Sequence, residues 1–207
     1  MARFLIEAVR NRKEVGAIAA SGRHLAQAMT ETIGSNGRVD RVLEVGAGTG
    51  AFTNSILERL GPGGSADIVE LNPSFCRQLR SKVVDPWTER QGDRSANVIE
   101  GCIEDAALKD SYTTIVCGLP FNSFPPDVAQ RILQQLTHLL SPGGTLAFFE
   151  YAGFPTLRCL IPGPWQKHAK AHRDFLRMLA APMTLRRRIV LRNILPAWAV
   201  SLHAQGA

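Results

Sequence analysis

The run Leu43-Glu44-Val45-Gly46-Ala47-Gly48-Thr49-Gly50 constrains this chain more than any other feature. Arg41 to Val45 reads as a short apolar strand and Ala51 to Leu60 has helical spacing, so the glycines fall in a strand-to-helix turn. Glycine lets the backbone turn tightly and approach a ligand with no Cβ in the way, and the helix behind it begins with unpaired amides. Twenty residues past Gly50, Glu70 ends a second strand, where a carboxylate can accept hydrogen bonds from both hydroxyls of a ribose. Together they mark a nucleoside site at the carboxyl edge of an open α/β sheet.

The rest of the chain alternates strand-like and helix-like segments, which favours a mainly parallel sheet covered by helices. Strands are expected at 66–71, 97–101, 113–117 and 145–151, and helices at 74–84 and 126–140. The turns Gly61-Pro62-Gly63-Gly64 and Ser141-Pro142-Gly143-Gly144 stop the helices before them. Two β-rich stretches, 186–192 and 197–203, read as a terminal hairpin around Asn193 to Pro196. At 207 residues and 45% hydrophobic, the chain suits one domain with a full core. We divide it into an N-terminal amphipathic helical segment, 1–34, that could contact a membrane, and an α/β domain, 35–207, that carries the nucleoside site.

Nicotinamide dehydrogenases share the glycine turn, and Gly46-x-Gly48-x-x-Ala51 meets their looser fingerprint. A dehydrogenase would also need a sixth parallel strand and a separate substrate region, for which too few residues remain. The chain instead resembles the class I S-adenosylmethionine-dependent methyltransferases, whose first motif, Glu-x-Gly-x-Gly-x-Gly, is matched by Glu44, Gly46, Gly48 and Gly50. The Ser141 to Gly144 turn and the terminal hairpin extend the match. This resemblance implies a Rossmann-like α/β fold with a seven-stranded, mostly parallel sheet, a C-terminal antiparallel hairpin and helices on both faces. It implies S-adenosyl-L-methionine as cofactor. Glu44 would orient the cofactor's amino-acid end through the loop or a water; Gly46, Ala47, Gly48 and Gly50 would pass beneath it; Glu70, followed by Leu71, would hold the ribose. Cys102-Ile103 takes the place after strand three where family members put an acid and a small residue to frame the adenine. Glu104 and Asp105 lie just beyond and could supply that carboxylate, or serve as first-turn acids of a helix.

Substrate choice should be written at the end of strand four, in Gly118-Leu119-Pro120-Phe121. Adenine N6-methyltransferases, including the ribosomal RNA adenine dimethylases, read Asn-Leu-Pro-Tyr or Asn-Leu-Pro-Phe here, and the asparagine oxygen accepts a hydrogen bond from the adenine amino group. Gly118 has only its carbonyl to offer, which counts against RNA. The residues are more similar to the soluble bacterial phospholipid N-methyltransferases, which methylate phosphatidylethanolamine and show Gly-Leu-Pro at this point. Val15 to Ser21, with Arg23, Leu25 and Ala26 after it, resembles that family's opening. The implied activity is N-methylation of a lipid amino headgroup, phosphatidylethanolamine towards phosphatidylcholine, with ornithine lipid and ribosomal RNA adenine as alternatives. The Gly118 and Leu119 carbonyls and the Tyr151 hydroxyl would hold the nitrogen, and Pro120 and Phe121 would line the pocket. Arg158 and Lys167 are assigned to the lipid phosphate from charge alone.

Charge is segregated along the chain: +3 over 1–23, −5 over 24–150 and +8 over 151–207. Basic ends attract polyanions, either nucleic acid or anionic headgroups, although a solvated basic surface is the plainer reading. Arg3 to Val15 groups Phe4, Leu5, Ala8 and Val9 beside cations, and Phe154 to Trp165 is a Pro-rich apolar stretch followed by Lys167, His168, Lys170, His172 and Arg173. Both patterns suit an anionic membrane surface, or else a first helix packed on the sheet and a loop over the core. No stretch approaches a bilayer span or an export signal, so the expected location is the cytoplasm, peripherally on the inner membrane face. Cys76, Cys102, Cys117 and Cys159 are far apart with no Cys-x-x-Cys pair; buried thiols and no metal centre are expected.

Overall fold

The computed structural model describes residues 22–35, 37–108, 111–119, 121, 124–152, 174–176, 178, 181, 183–193 and 195–206. Their elements, in chain order, are α1 (Arg23–Met29), β1 (Arg41–Val45), α2 (Ala51–Arg59), β2 (Ser65–Glu70), α3 (Pro73–Leu79), α4 (Asp85–Thr88), β3 (Ser95–Glu100), β4 (Tyr112–Cys117), α5 (Pro126–His138), β5 (Leu140–Tyr151), β6 (Met183–Val190) and β7 (Ala197–Ala204). One seven-stranded sheet runs β3-β2-β1-β4-β5-β7-β6. β1 to β5 pair in parallel, and β7 returns antiparallel between β5 and β6. The expected parallel sheet with a terminal antiparallel hairpin is therefore present.

The two sheet faces are covered by different helices. Val42, Val116, Ala147, Phe149 and Tyr151 face α1 and α2, where Leu25, Met29, Phe52 and Ile56 close the layer. Leu43, Ile115, Leu146 and Phe148 face the opposite way, onto Val128, Ile132, Leu133 and Leu136 of α5. The five-residue strand β1 sits between β2 and β4, and its last four residues are all buried. A central parallel strand covered on both faces is normally continuously apolar, so Glu44 within it is the exception to explain.

Several boundaries differ from those read in the sequence. The helix expected over 74–84 is α-helical only to Leu79, then opens into a π turn over Arg80–Val84, with the Asp85 amide donating to the Arg80 carbonyl. Pro86 follows and has no N–H with which to continue a four-residue ladder. The helix expected to reach residue 140 ends at His138, and β5 starts at Leu140, ahead of the glycines. Leu140 pairs with Tyr112 while Thr145 pairs with Thr114, so Ser141 to Gly144 bulges out of the ladder. A Cβ at Gly144 would lie 2.8 Å from the Ser141 carbonyl oxygen and 3.0 Å from that of Tyr112, which restricts this position to glycine. The stretch expected as 186–192 pairs three residues earlier, over Met183–Val190. Residues 103–105 form a turn rather than the start of a helix, so Glu104 and Asp105 are not first-turn acids.

Of the segment 1–34, residues 22–34 pack against the domain: Leu25, Ala26, Ala28, Met29 and Ile33 are all buried. Arg3 to Val15 and Phe154 to Trp165 lie outside the described residues. Among the described residues no helix is long and apolar enough to cross a membrane.

Candidate functional site

The loops after β1, β2, β3 and β4 meet at one edge of the sheet, and backbone hydrogen bonds carry the ladder past the strand ends. The Gly46 amide donates to the Val69 carbonyl (2.9 Å), Gly101 to Glu70 (3.0 Å) and Gly118 to Val45 (2.8 Å). The glycine loop is thus fixed between the ends of β2 and β4.

Within that loop, Gly46 (φ 75°), Gly48 (φ 58°) and Gly50 (φ 90°) all adopt left-handed conformations that disfavour a side chain. At Gly46 a Cβ would also meet Leu119 Cδ2 at 2.7 Å, so the side chain of Leu119 lies over the loop. At Gly48 nothing comes within 4 Å of where a Cβ would stand, leaving open space on that side. Ala47 is buried, its carbonyl accepting from the Gly50 amide, and Gly50 caps α2.

Glu70 ties this loop to the next one. Its Oε2 accepts from the Gly48 amide (2.7 Å) and its Oε1 from the Asn72 amide (2.8 Å). Asn72 in turn caps α3 by accepting from the Ser74 amide (2.9 Å). A carboxylate has about four acceptor positions, so two amides leave capacity for hydroxyl donors. Leu71 is half-buried against the core.

Glu44 is wholly buried, with Oε2 accepting from the Thr53 hydroxyl (2.7 Å) and Oε1 unpartnered. Burial pushes its carboxyl up to about 8, aided by the negative charge of Glu70 and opposed by Thr53. Folding therefore retains a proton that the unfolded chain releases near the ordinary value of 4.5. The resulting stabilisation is full below that value and is lost as the pH climbs through about 8. We expect the ligand-free protein to melt progressively lower from about pH 5 to about pH 8, by a few kcal/mol in stability at most, and Glu44→Gln to flatten that dependence. Parallel melting curves for the two proteins across this range would refute the assignment.

Of the other expected residues, Cys102 and Ile103 are buried; Cys102 Sγ lies 3.5 Å from Glu104 Oε2, and the Ile103 carbonyl accepts from Gln135 Nε2 (2.9 Å). Gly118 is pressed against the loop: a Cβ there would stand 2.6 Å from the Gly46 carbonyl oxygen. Phe121 is a core residue, edge-on to Phe148 with centroids 5.5 Å apart. Tyr151 ends β5, buried and edge-on to Phe149 at 5.2 Å. Pro120, Arg158 and Lys167 lie outside the described residues. Thr53 was not anticipated; its position on the inner face of α2, one turn past the loop, is the signal that could have found it. Among the described residues no group of His, Cys, Asp and Glu is arranged to hold a metal.

These residues suit an adenosyl sulfonium cofactor. They offer an orphaned buried carboxyl atom on Glu44, a glycine cradle open at Gly48, and Glu70 with acceptor positions to spare. The strand order with its antiparallel seventh strand defines a Rossmann-like methyltransferase fold. The family model described as a methyltransferase domain matches residues 42–144, from β1 into the turn within β5. An ornithine lipid N-methyltransferase of Singulisphaera acidiphila is 29% identical over 150 residues, covering 69% of this chain and 73% of its own. The N-methyltransferase NodS of Bradyrhizobium japonicum, solved with S-adenosyl-L-homocysteine, superposes with a TM-score of 0.61 at 17% identity over 88% of this chain and 85% of its own. The O-methyltransferase TomG of Streptomyces achromogenes, solved with S-adenosylmethionine, gives 0.65 at 16% identity over 97% and 89%. The protein is a class I methyltransferase. The open glycine cradle and the spare acceptor positions of Glu70 suit S-adenosylmethionine as its cofactor.

Proposed function

We propose that this enzyme methylates the primary amine of a membrane lipid headgroup, with phosphatidylethanolamine and ornithine lipid as the two acceptors to compare. The observation that carries the reading is the contact between Gly118 and the Gly46 carbonyl, which leaves no room for a side chain at the end of β4. A site for a planar base uses a side-chain amide at this position. Without one, Gly118 and Leu119 can offer only main-chain carbonyls, which suit a small amine. The similarity to an ornithine lipid N-methyltransferase, across most of both chains, supports the same acceptor class.

When bound, S-adenosylmethionine supplies an electrophilic methyl on sulfur. The chain's own part is to hold and align. Glu70, held in place by the Gly48 amide, would fix the nucleoside end, and protonated Glu44 braces α2 against β1 through Thr53. The carbonyls of Gly118 and Leu119, with the Tyr151 hydroxyl at the end of β5, orient the amine lone pair. An amine that has shed its proton to water attacks without a general base, so alignment and removal of water carry the rate. Cys102 and Ile103 would frame the adenine, while Pro120, Arg158 and Lys167 remain proposals for the lipid; Phe121, expected to line the pocket, is packed on Phe148 in the core and would back that wall instead. The enzyme would work at the surface of an anionic membrane.

The test is transfer of labelled methyl from S-adenosylmethionine into liposomes containing phosphatidylethanolamine or ornithine lipid, beside unmodified small-subunit ribosomal RNA. Label is expected in one or both lipids. Label in RNA alone, or none in lipid from an enzyme that binds the cofactor, would reject the proposal.

A further inference from the structure

The turn joining β6 to β7 lies at the sheet edge that carries the nucleoside site. Val190 at the end of β6 pairs with Ala197, and Ala197 pairs with Tyr151 at the carboxyl end of β5, beside β4 and Gly118. This turn is held by three hydrogen bonds, two of them from residues outside it. Asn193 Oδ1 accepts from the Gly22 amide (2.6 Å), Asn193 Nδ2 donates to the Leu195 carbonyl (2.8 Å), and the Pro196 carbonyl accepts from the Ala152 amide (2.7 Å).

A turn held so firmly would ordinarily show polar side chains to water. Here Leu191 is 67% exposed, Ile189 43% and Leu195 41%, with Arg192 exposed between them. Of the six large apolar side chains exposed among the described residues, these three fall within seven consecutive positions. Such clustering points to a surface with an occupant, whereas scattered exposed leucines need no explanation. The charges around it differ in availability. Arg187 is paired with Glu150 (2.7 Å) and Arg188 with Glu31 (3.1 Å), whereas Arg192 makes no ion pair among the described residues.

We infer that the β6–β7 turn is a membrane-docking tip, which sinks Leu191 and Leu195 below the headgroups of an anionic bilayer and sets Arg192 at the level of the phosphates. Apolar side chains with a cation between them match the layered chemistry of a bilayer surface, apolar beneath and anionic above. The location fits as well, because docking at this edge presents headgroups directly to Gly118 and Tyr151. The inference rests on the amino-lipid reading.

The test uses the full chain and vesicles of phosphatidylglycerol and phosphatidylcholine in equal parts, with binding read by co-sedimentation. Leu191→Ser combined with Leu195→Ser is expected to weaken binding about a hundredfold, roughly tenfold for each leucine withdrawn from the apolar layer. Val39→Ser is the control: Val39 is 58% exposed but precedes β1, at the opposite edge of the sheet, and its loss should leave binding unchanged. Arg192→Glu, which removes no packing, should weaken binding to these vesicles but not to phosphatidylcholine alone. Unchanged calorimetric binding of S-adenosylhomocysteine certifies that each variant is folded. Binding by the double leucine variant within about twofold of the parent would overturn the inference. So would loss of a dimer, rather than of vesicle binding, which would assign the turn to a second copy of the chain. Methyl transfer to amino lipid dispersed in detergent micelles needs no docking, so its absence in the parent would reject the amino-lipid reading independently of the tip.

Discussion

Gly118→Ala is expected to slow methyl transfer at least about a hundredfold, because a misplacement of roughly 1 Å at a reacting centre has that cost, and to weaken cofactor binding as well. The new Cβ would stand 2.6 Å from the Gly46 carbonyl oxygen and 3.4 Å from two ring carbons of Phe52. Neither neighbour can step aside. The Gly46 amide is tied to Val69 and the Gly118 amide to Val45, while Phe52 is packed in the core under Phe149 with centroids 6.1 Å apart. Forcing one methyl into such a site costs about 1–3 kcal/mol in stability and moves the end of β4 away from the loop. Gly118→Asn, which installs the residue of the adenine enzymes, meets the same obstacle and should yield an inactive enzyme rather than one acting on adenine. Gly48→Ala provides the contrast: it strains a left-handed backbone but meets no atom, so its folding cost should be limited to about 1–2 kcal/mol. Thermal melting, calorimetry with S-adenosylhomocysteine and labelled methyl transfer measure all three variants. Parent-like cofactor affinity in Gly118→Ala would show that the two loops are not rigidly coupled.

What could be read from the sequence was whatever depends on neighbours in the chain. Glycines at fixed spacing between an apolar strand and a helix located the loop, and the next strand's terminal acid located Glu70. The alternation of strands and helices gave the sheet its class, and the break at Asn193 to Pro196 between two β-rich stretches gave the hairpin. What escaped was set by contacts between distant residues. Thr53 reaches Glu44 only because α2 folds back over β1: its place one turn past the loop marks the inner face of the helix, but not the partner its hydroxyl finds. Gly118 was readable as an asparagine replaced, but not as a residue pinned by the Gly46 carbonyl. The Ser141 to Gly144 glycines read as the end of a helix because the pairing of Leu140 with Tyr112 ahead of them is a long-range event. The basic tail offered its arginines as a uniform charge, whereas Arg187 and Arg188 reach back to Glu150 and Glu31 and so are partly spent on the fold.

Glu70→Ala is expected to raise the dissociation constant for S-adenosylhomocysteine about a thousandfold. Two charge-assisted hydrogen bonds, to the Gly48 and Asn72 amides, disappear together, and the ligand must then order the loop they held, so their worth, roughly 2 kcal/mol each, is passed to binding. Gln at this position keeps one acceptor but turns its NH2 towards the second amide, so Glu70→Gln should fall between the parent and alanine. A positioning role alone and a direct role at the ribose predict the same loss for the whole ligand, and they separate only when the ligand is cut as well. If Glu70 also binds the ribose, removing a ribose hydroxyl from S-adenosylhomocysteine should cost the parent enzyme about tenfold or more and the alanine variant almost nothing. If Glu70 serves only to hold the glycine loop, the deoxy ligand should lose the same factor in both proteins, since the hydroxyl would then be held by a group the substitution leaves in place. The cycle reads the coupling directly, and it does so before any acceptor has been identified, which makes the nucleoside site testable independently of the lipid.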